Sequence, residues 1–304
     1  MAQFLSVVQA VLPVFVALFL GMLCRKTDFL TRDGVDALKK VVVNITLPAV
    51  LLNAFATAEY SANTLAVPVI SYLVCCLLLA VGFAIARISK IKLQTAPFFA
   101  AGFEAGMLGY ALFVLLFPQE STAKFAILDL GQTLFVFTVF KLLICEKADW
   151  KAMVKDMVST PILWAVAAGV LLGATGLYQK AEQLSTVLDS VTNFVSAPTG
   201  MIILLTVGYD LVLKEIPWKK TAGLLALRLT AMVCFVGVML LINRLVLGGV
   251  LFEGAIILMA ILPPPYVIPV FTDKPEERTQ VSAGLSVMTL MCTVLFAVLS
   301  VVFA

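Results

Sequence analysis

The residues whose chemistry is hardest to dismiss lie where water is scarcest. Glu104 stands in the run Pro97-Phe-Phe-Ala-Ala-Gly102-Phe-Glu104-Ala-Gly106-Met-Leu-Gly109-Tyr110, inside a long apolar stretch. Its three glycines, Gly102, Gly106 and Gly109, each weaken a helix by ~1 kcal/mol relative to alanine. Glu104 falls nine residues from one end of its stretch, ~14 Å at the helical rise, near the midplane of a bilayer. A charged carboxylate there costs ~2.5–3.5 kcal/mol on insertion scales, so it must face a cavity, carry a proton or meet a donor. A second run, Leu262-Pro263-Pro264-Pro265-Tyr266-Val-Ile-Pro269, begins ten residues from the opposite end of its own stretch. Consecutive prolines remove donors and clash with the preceding turn, so a continuous helix breaks there. Two helices entering from opposite sides and broken at one depth make a site. Half-helix N-termini suit an anion and C-terminal ends a cation. The competing reading of each feature is packing, with glycines for close approach and prolines for kinks.

Other polar residues could join that site. Gln132 lies one turn deeper than Asp129, which is either a headgroup-level carboxylate or a pathway residue. Asn44, Thr46 and Asn53 either line a cavity or bond between helices. Asp210 and Glu253 sit at helix ends and are read as solvated. No paired catalytic motif occurs at membrane depth, so no catalytic residue is assigned. The chain has no histidine, which removes His-based metal sites, imidazole relays and Ser-His-Asp chemistry. Six cysteines (Cys24, Cys75, Cys76, Cys145, Cys234, Cys292) lie in or beside apolar runs at spacings that fit neither a disulfide framework nor zinc, and read as small apolar fillers. No metal and no cofactor is expected.

The elements that must position these residues follow from composition. The 304 residues are 62% apolar and 13% charged, with a mean hydropathy of +1.08, too little charge to cover a soluble domain. Apolar stretches of about 20 residues suit helices that cross a ~30 Å hydrocarbon core. The expected class is an all-α polytopic membrane protein with ten transmembrane helices, at about 4–24, 36–57, 64–86, 95–117, 123–143, 161–177, 191–209, 221–243, 253–271 and 281–303. The connection 144–160 is a candidate interfacial helix. Residues 1–26 lack a basic n-region and carry too long an apolar run for a signal peptide, so they read as a retained first helix.

Lys and Arg set the orientation. The odd-numbered connections with their flanks hold 18 of the 21 basic residues, Arg228 among them, and the even ones only Lys124, Lys180 and Arg244. The odd connections are therefore expected in the cytoplasm and both termini outside a cell membrane. A net charge of +3 gives no reason to expect a nucleic-acid partner; the bilayer and a small-molecule substrate are the partners expected. Five helices plus five, with an odd repeat length, make residues 1–145 and 146–304 opposite in orientation, the inverted-repeat plan of many secondary transporters. Asn44-Ile-Thr46-Leu-Pro48 and Asn193-Phe-Val-Ser196-Ala-Pro198 occupy corresponding second helices, and the broken fourth and ninth helices also correspond.

At these motifs the chain resembles the auxin efflux carrier family, which includes plant auxin carriers and bacterial permeases assigned to malate and related acids. Asn44-Ile-Thr-Leu-Pro48-Ala-Val-Leu-Leu resembles the family's second helix, Phe103-Glu104-Ala-Gly106-Met-Leu-Gly109-Tyr110-Ala111 its Gly-rich fourth, and Met259-Ala-Ile-Leu-Pro263-Pro264 with Val281-Ser-Ala-Gly-Leu its ninth and tenth. The family pattern has Asn where this chain has Glu104, Pro where it has Ala111, and Ala-Val-Asn where it has Pro265-Tyr266-Val267. The resemblance implies a scaffold of helices 1, 2, 6 and 7, a moving unit of helices 3–5 and 8–10, an elevator-like step, and homodimers through the scaffold. The function expected is secondary transport of a small organic anion of carboxylate type. The alternatives are a proton- or cation-coupled carrier in which Glu104 titrates, and a transporter-like sensor that binds a ligand or lipid without moving it.

Overall fold

A computed structural model describes residues 2–145, 151, 155, 158–211, 216–272 and 275–303. The proposed interfacial helix at 144–160 lies largely outside the described residues. Among these residues the chain is helical throughout, with no strand: α1 (Ala2–Lys26), α2 (32–56), α3 (Ala62–Ile88), α4 (Ala105–Leu116), α5 (Ala123–Ile144), α6 (Pro161–Ala174), α7 (182–210), α8 (Trp218–Leu245), α9 (Glu253–Ile261) and α10 (Pro275–Phe303). Short helical turns at Ala96–Phe99, Leu177–Lys180 and Ile268–Phe271 flank α4, α7 and α9. Six of the helices, α1, α3, α5, α7, α8 and α10, contain a stretch long and apolar enough to cross a membrane, while α4 and α6 are shorter apolar helices.

The surface of these helices identifies their solvent. On α3, Leu65, Val69, Leu73 and Leu77 recur at helical spacing and are each more than half exposed, while Val67, Val74, Cys75 and Leu78 on the other face are buried. A helix apolar on both faces cannot end at water and belongs in lipid. Without a hydrophobic drive between helices, packing depends on close backbone approach. Gly21 of α1 and Gly208 of α7 provide it at the most extensive helix contact: an added Cβ would lie 2.0 Å from the Leu205 carbonyl oxygen and 2.2 Å from that of Leu18, respectively. Gly169 of α6 sits in the same way on α2, 2.8 Å from the Leu52 oxygen. Gly208→Val should therefore separate α1 from α7 and lower the thermal midpoint in detergent. Gly237→Ala on α8, where nothing lies within 4 Å of the new Cβ, should instead gain about 1 kcal/mol of helix propensity. Fluorimetric melting of the two variants checks both signs.

Three boundaries differ from expectation for local reasons. The fourth helix starts at 105 and not 95, and the ninth ends at 261 and not 271, because the backbone leaves helical geometry at Leu262–Pro265 and between Ala101 and Glu104. The seventh helix starts at 182 and not 191. Its first part, Glu182–Ser196, carries enough polar residues to pass for a connection, and Pro198 opens the second part, Thr199–Asp210, after a kink. In α2, a π-helical turn at Val42–Thr46 precedes Pro48. The Leu47 N–H bonds Val42 O five residues back, which gives the proline ring space that a regular turn denies it.

Candidate solute site at the crossing of two broken helices

Backbone geometry brings the two breaks together. After the Ala96–Phe99 turn, Gly102 takes φ +73, a conformation that glycine adopts without strain. The chain then runs to Glu104, whose N–H donates to Pro263 O at 2.9 Å. Glu104 also begins α4. Its carbonyl accepts from the N–H groups of Leu108 and Gly109, and its side-chain Oε1 accepts from the Met107 N–H at 3.3 Å. The other carboxylate oxygen, Oε2, accepts from the Tyr266 N–H at 2.5 Å, just past the prolines and before the Ile268–Phe271 turn. One carboxylate thus takes a donor from the start of α4, where partial positive charge collects, and a second from the backbone just past the proline break.

Backbone carbonyls at the two breaks hold a cation. Arg228 of α8 is fully buried. Its Nη1 donates to Phe99 O at 3.3 Å and Gly102 O at 2.9 Å, its Nη2 to Leu262 O at 2.5 Å, and its guanidinium lies 4.7 Å from the centroid of the Phe103 ring. Counting Arg228 among the loop cations is therefore a misassignment. It lies seven residues inside an apolar stretch that begins at Thr221, and that depth was the signal available in the sequence.

Asp129 and Gln132 of α5 close the site. Both are buried. Gln132 grips the break through Phe103, with Nε2 donating to Phe103 O at 2.9 Å and Oε1 accepting from Phe103 N at 3.3 Å. Asp129 accepts from the Tyr110 hydroxyl at 2.9 Å, Gln132 Nε2 at 3.1 Å and the Thr133 hydroxyl at 3.2 Å. Thr133, one turn from Asp129, escaped the sequence reading. Glu104, Asp129, Gln132, Thr133, Tyr110 and Tyr266 face a cavity of ≈ 330 Å³, walled otherwise by apolar side chains such as Val43, Leu47 and Ile162.

Two further cavities adjoin it, one through Tyr110 and one through Tyr266. A cavity of ≈ 580 Å³ between α1, α2, α7 and α4 has Asn53, Asn193, Thr199 and Tyr110 in its wall. Another, of ≈ 520 Å³, between α2 and α7 on one side and α10 with the Ile268–Phe271 turn on the other, has Arg32, Lys39, Asp210 and Tyr266. Each tyrosine is anchored by its hydroxyl, Tyr110 to Asp129 and Tyr266 to Thr289 at 2.9 Å.

The remaining sequence candidates have distinct places. Gly106 and Pro265 line the cavity beside Glu104; Pro263 and Pro264 are buried in the break. Gly109 packs on Phe125, 2.6 Å from the ring for an added Cβ. Asn44 is exposed and donates to Lys40 O of its own helix at 2.8 Å. The buried Thr46 hydroxyl has no partner. Asn53 donates across to Asp189 at 2.7 Å and Thr192 at 3.1 Å on α7. The same Asp189 accepts from the Tyr178 hydroxyl, and burial together with that carboxylate pushes the phenol up to about 12. Asp210 is not simply solvated: it binds Arg32 at 2.5 Å and also Lys39, joining α7 to α2. Glu253 pairs with Arg244 at 3.3 Å on the surface. Among the described residues no three His, Cys, Asp or Glu side chains converge as metal ligands.

Residues 6–152 match the family described as membrane transport protein. A protein of Methanothermobacter thermautotrophicus described as an uncharacterized transporter is 24% identical over 215 residues, which cover 68% of this chain and 69% of that protein. With long apolar helices and a polar crossing buried between them, these similarities support a multi-pass membrane transporter.

Proposed function

We propose that the protein is a secondary transporter of a small organic anion of carboxylate type, held at the crossing of the two breaks. One observation carries this reading: the Met107 N–H, in the first turn of α4, and the Tyr266 N–H, just past the prolines, already converge on a carboxylate, that of Glu104. The cavity beside it, ≈ 330 Å³, is at the small end of the range for ligand sites.

In this reading the chain has ten spans in two inverted repeats, 1–145 and 146–304. The pairing of α1 with α7 and of α2 with α6 supports it, since exchanging the repeats turns one pair into the other. A scaffold of α1, α2, α6 and α7 faces a moving unit of α3–α5 and α8–α10. The three cavities lie along the seam between those groups, which supports an elevator-like step there. The odd-numbered connections face the cytoplasm, both termini lie outside the cell membrane, and two copies associate through the scaffold. No covalent chemistry is involved.

A second reading, a carrier coupled to protons or another cation, draws on Glu104 and Asp129 sharing one cavity. Melting of the purified protein against organic acids and amines, followed by flux in sealed proteoliposomes with and without an imposed pH gradient, separates the readings: flux that ignores the gradient excludes proton coupling. A ligand that binds the native state raises the midpoint by mass action. The anion carrier predicts a shift by an acid and accumulation of that acid. A shift by amines alone would make the solute a cation, and binding without flux would make the protein a sensor.

A further inference from the structure

We propose that Glu104 is a tethered occupant of the solute's own carboxylate site: a solute anion docks only after a proton has released Glu104 from the Tyr266 and Met107 amides, so each anion crosses with one proton. This rests on the reading of the crossing as the anion site.

The donors decide the matter. The Gln132 amide is committed to Phe103 O and Asp129, and the hydroxyls of Thr133 and Tyr110 to Asp129. An arriving carboxylate therefore has to take the amides that Glu104 occupies. The charged and titratable groups around Glu104 leave no room for a second anion beside it. Asp129 on α5 is already negative when ionised, and Tyr110 and Tyr266 are neutral donors. Lys39 on α2 is bound to Asp210 of α7. Arg228 of α8 is committed to carbonyl oxygens of the two breaks. A proton taken by Glu104 from the aqueous phase facing the cavity removes one negative charge, and the docking anion restores it. The total is the same with and without solute. The displaced side chain has somewhere to go, because Val43, Leu47 and Ile162 wall the cavity; an apolar wall admits a neutral acid and rejects a carboxylate.

The same device serves the return step. With Glu104 ionised and back on the Met107 and Tyr266 amides, both donors are satisfied in the empty carrier, so the unloaded form can cross. Net proton–anion symport follows, not obligatory exchange of one anion for another. On arrival at the second side the anion leaves, Glu104 gives its proton to that aqueous phase, and the carboxylate recaptures the amides.

The test uses the 304-residue protein in detergent with lactate and benzoate as probes, between pH about 6 and 8.5, where both stay ionised because simple carboxyls titrate at about pH 4. Affinity of the wild type for a bound probe should fall about tenfold per pH unit on the alkaline side of the Glu104 titration, the slope of one linked proton. A pH dye in weak buffer should register one proton taken up per anion bound. Glu104→Gln, neutral at every pH, should bind the same probe with flat pH dependence and no uptake. Binding by the wild type with flat affinity and no proton uptake overturns this inference and leaves the anion reading intact. If neither the wild type nor Glu104→Gln binds any probe, the anion reading falls and this inference with it. Should Glu104→Gln lose its monodisperse peak on gel filtration, the wild-type affinity and dye measurements decide alone.

Discussion

Arg228→Met should lower the thermal midpoint more than any other single side-chain truncation at the crossing, and Arg228→Lys should recover only part of the loss. The guanidinium binds three backbone carbonyls, Phe99 and Gly102 from one break and Leu262 from the other. Removing it does relieve the burial of a charge, which by itself would favour an apolar replacement. That gain is outweighed because the three carbonyls stay buried at the two breaks. Each loses a charged donor, at about 1–3 kcal/mol apiece, and the contact with the Phe103 ring goes too, worth about 0.5–2 kcal/mol. Allowing for relaxation, a loss on the order of 3–5 kcal/mol is expected. Lysine keeps the charge but not the planar fork, so its single ammonium serves one break and leaves the other open. Melting in detergent with gel filtration reads both variants. An unchanged midpoint for Arg228→Met would mean that the carbonyls find other donors and that the guanidinium is no clamp.

Arg228 also shows where reading the sequence ran out. A charge within an apolar stretch stands out in one dimension, and Glu104 and the proline run were legible for that reason: each violates a strictly local rule, of solvation or of helix hydrogen bonding. Arg228 violates the same rule, but its neighbours Lys219 and Lys220 made it resemble the flank of a loop. The partnership of Glu104 with Tyr266 spans 162 residues and depends on which backbone N–H faces the carboxylate, a matter of tertiary geometry that no spacing encodes. Asn44 illustrates the reverse error. An Asn beside a helix proline looks like a cavity liner, yet the π-turn rotates it outward, and its amide satisfies the Lys40 carbonyl of its own helix. Asn53, two turns on, faces α7 because α2 and α7 pack there. The start of α7 at Glu182 is not legible because a helical turn rich in polar residues has the composition of a connection.

The two charges and the two breaks form a single device, and Gly102 is its hinge pin. It is the residue at which a positive φ and a close approach coincide: φ is +73, and an added Cβ would lie 2.8 Å from Pro265 Cγ and 3.2 Å from Pro265 Cδ. Gly102→Ala therefore carries two penalties. The left-handed backbone costs about 1–2 kcal/mol for a residue with a Cβ. The contact with the rigid proline ring adds a steric cost that only separation of the breaks relieves. Separation stretches the bonds from Glu104 N to Pro263 O and from Tyr266 N to Glu104 Oε2, so solute binding should fall along with the melting temperature. The double variant Gly102→Ala/Pro265→Ala distinguishes the terms. Truncating the ring removes the clash but not the backbone strain, so the second change should be less damaging in the Gly102→Ala background than alone. The coupling is expected at about 0.5–3 kcal/mol, as for residues in direct contact. A double-mutant cycle on melting temperature and probe affinity measures it. Simple additivity would show that Gly102 is required for its backbone conformation alone and that the two breaks do not bear on each other there.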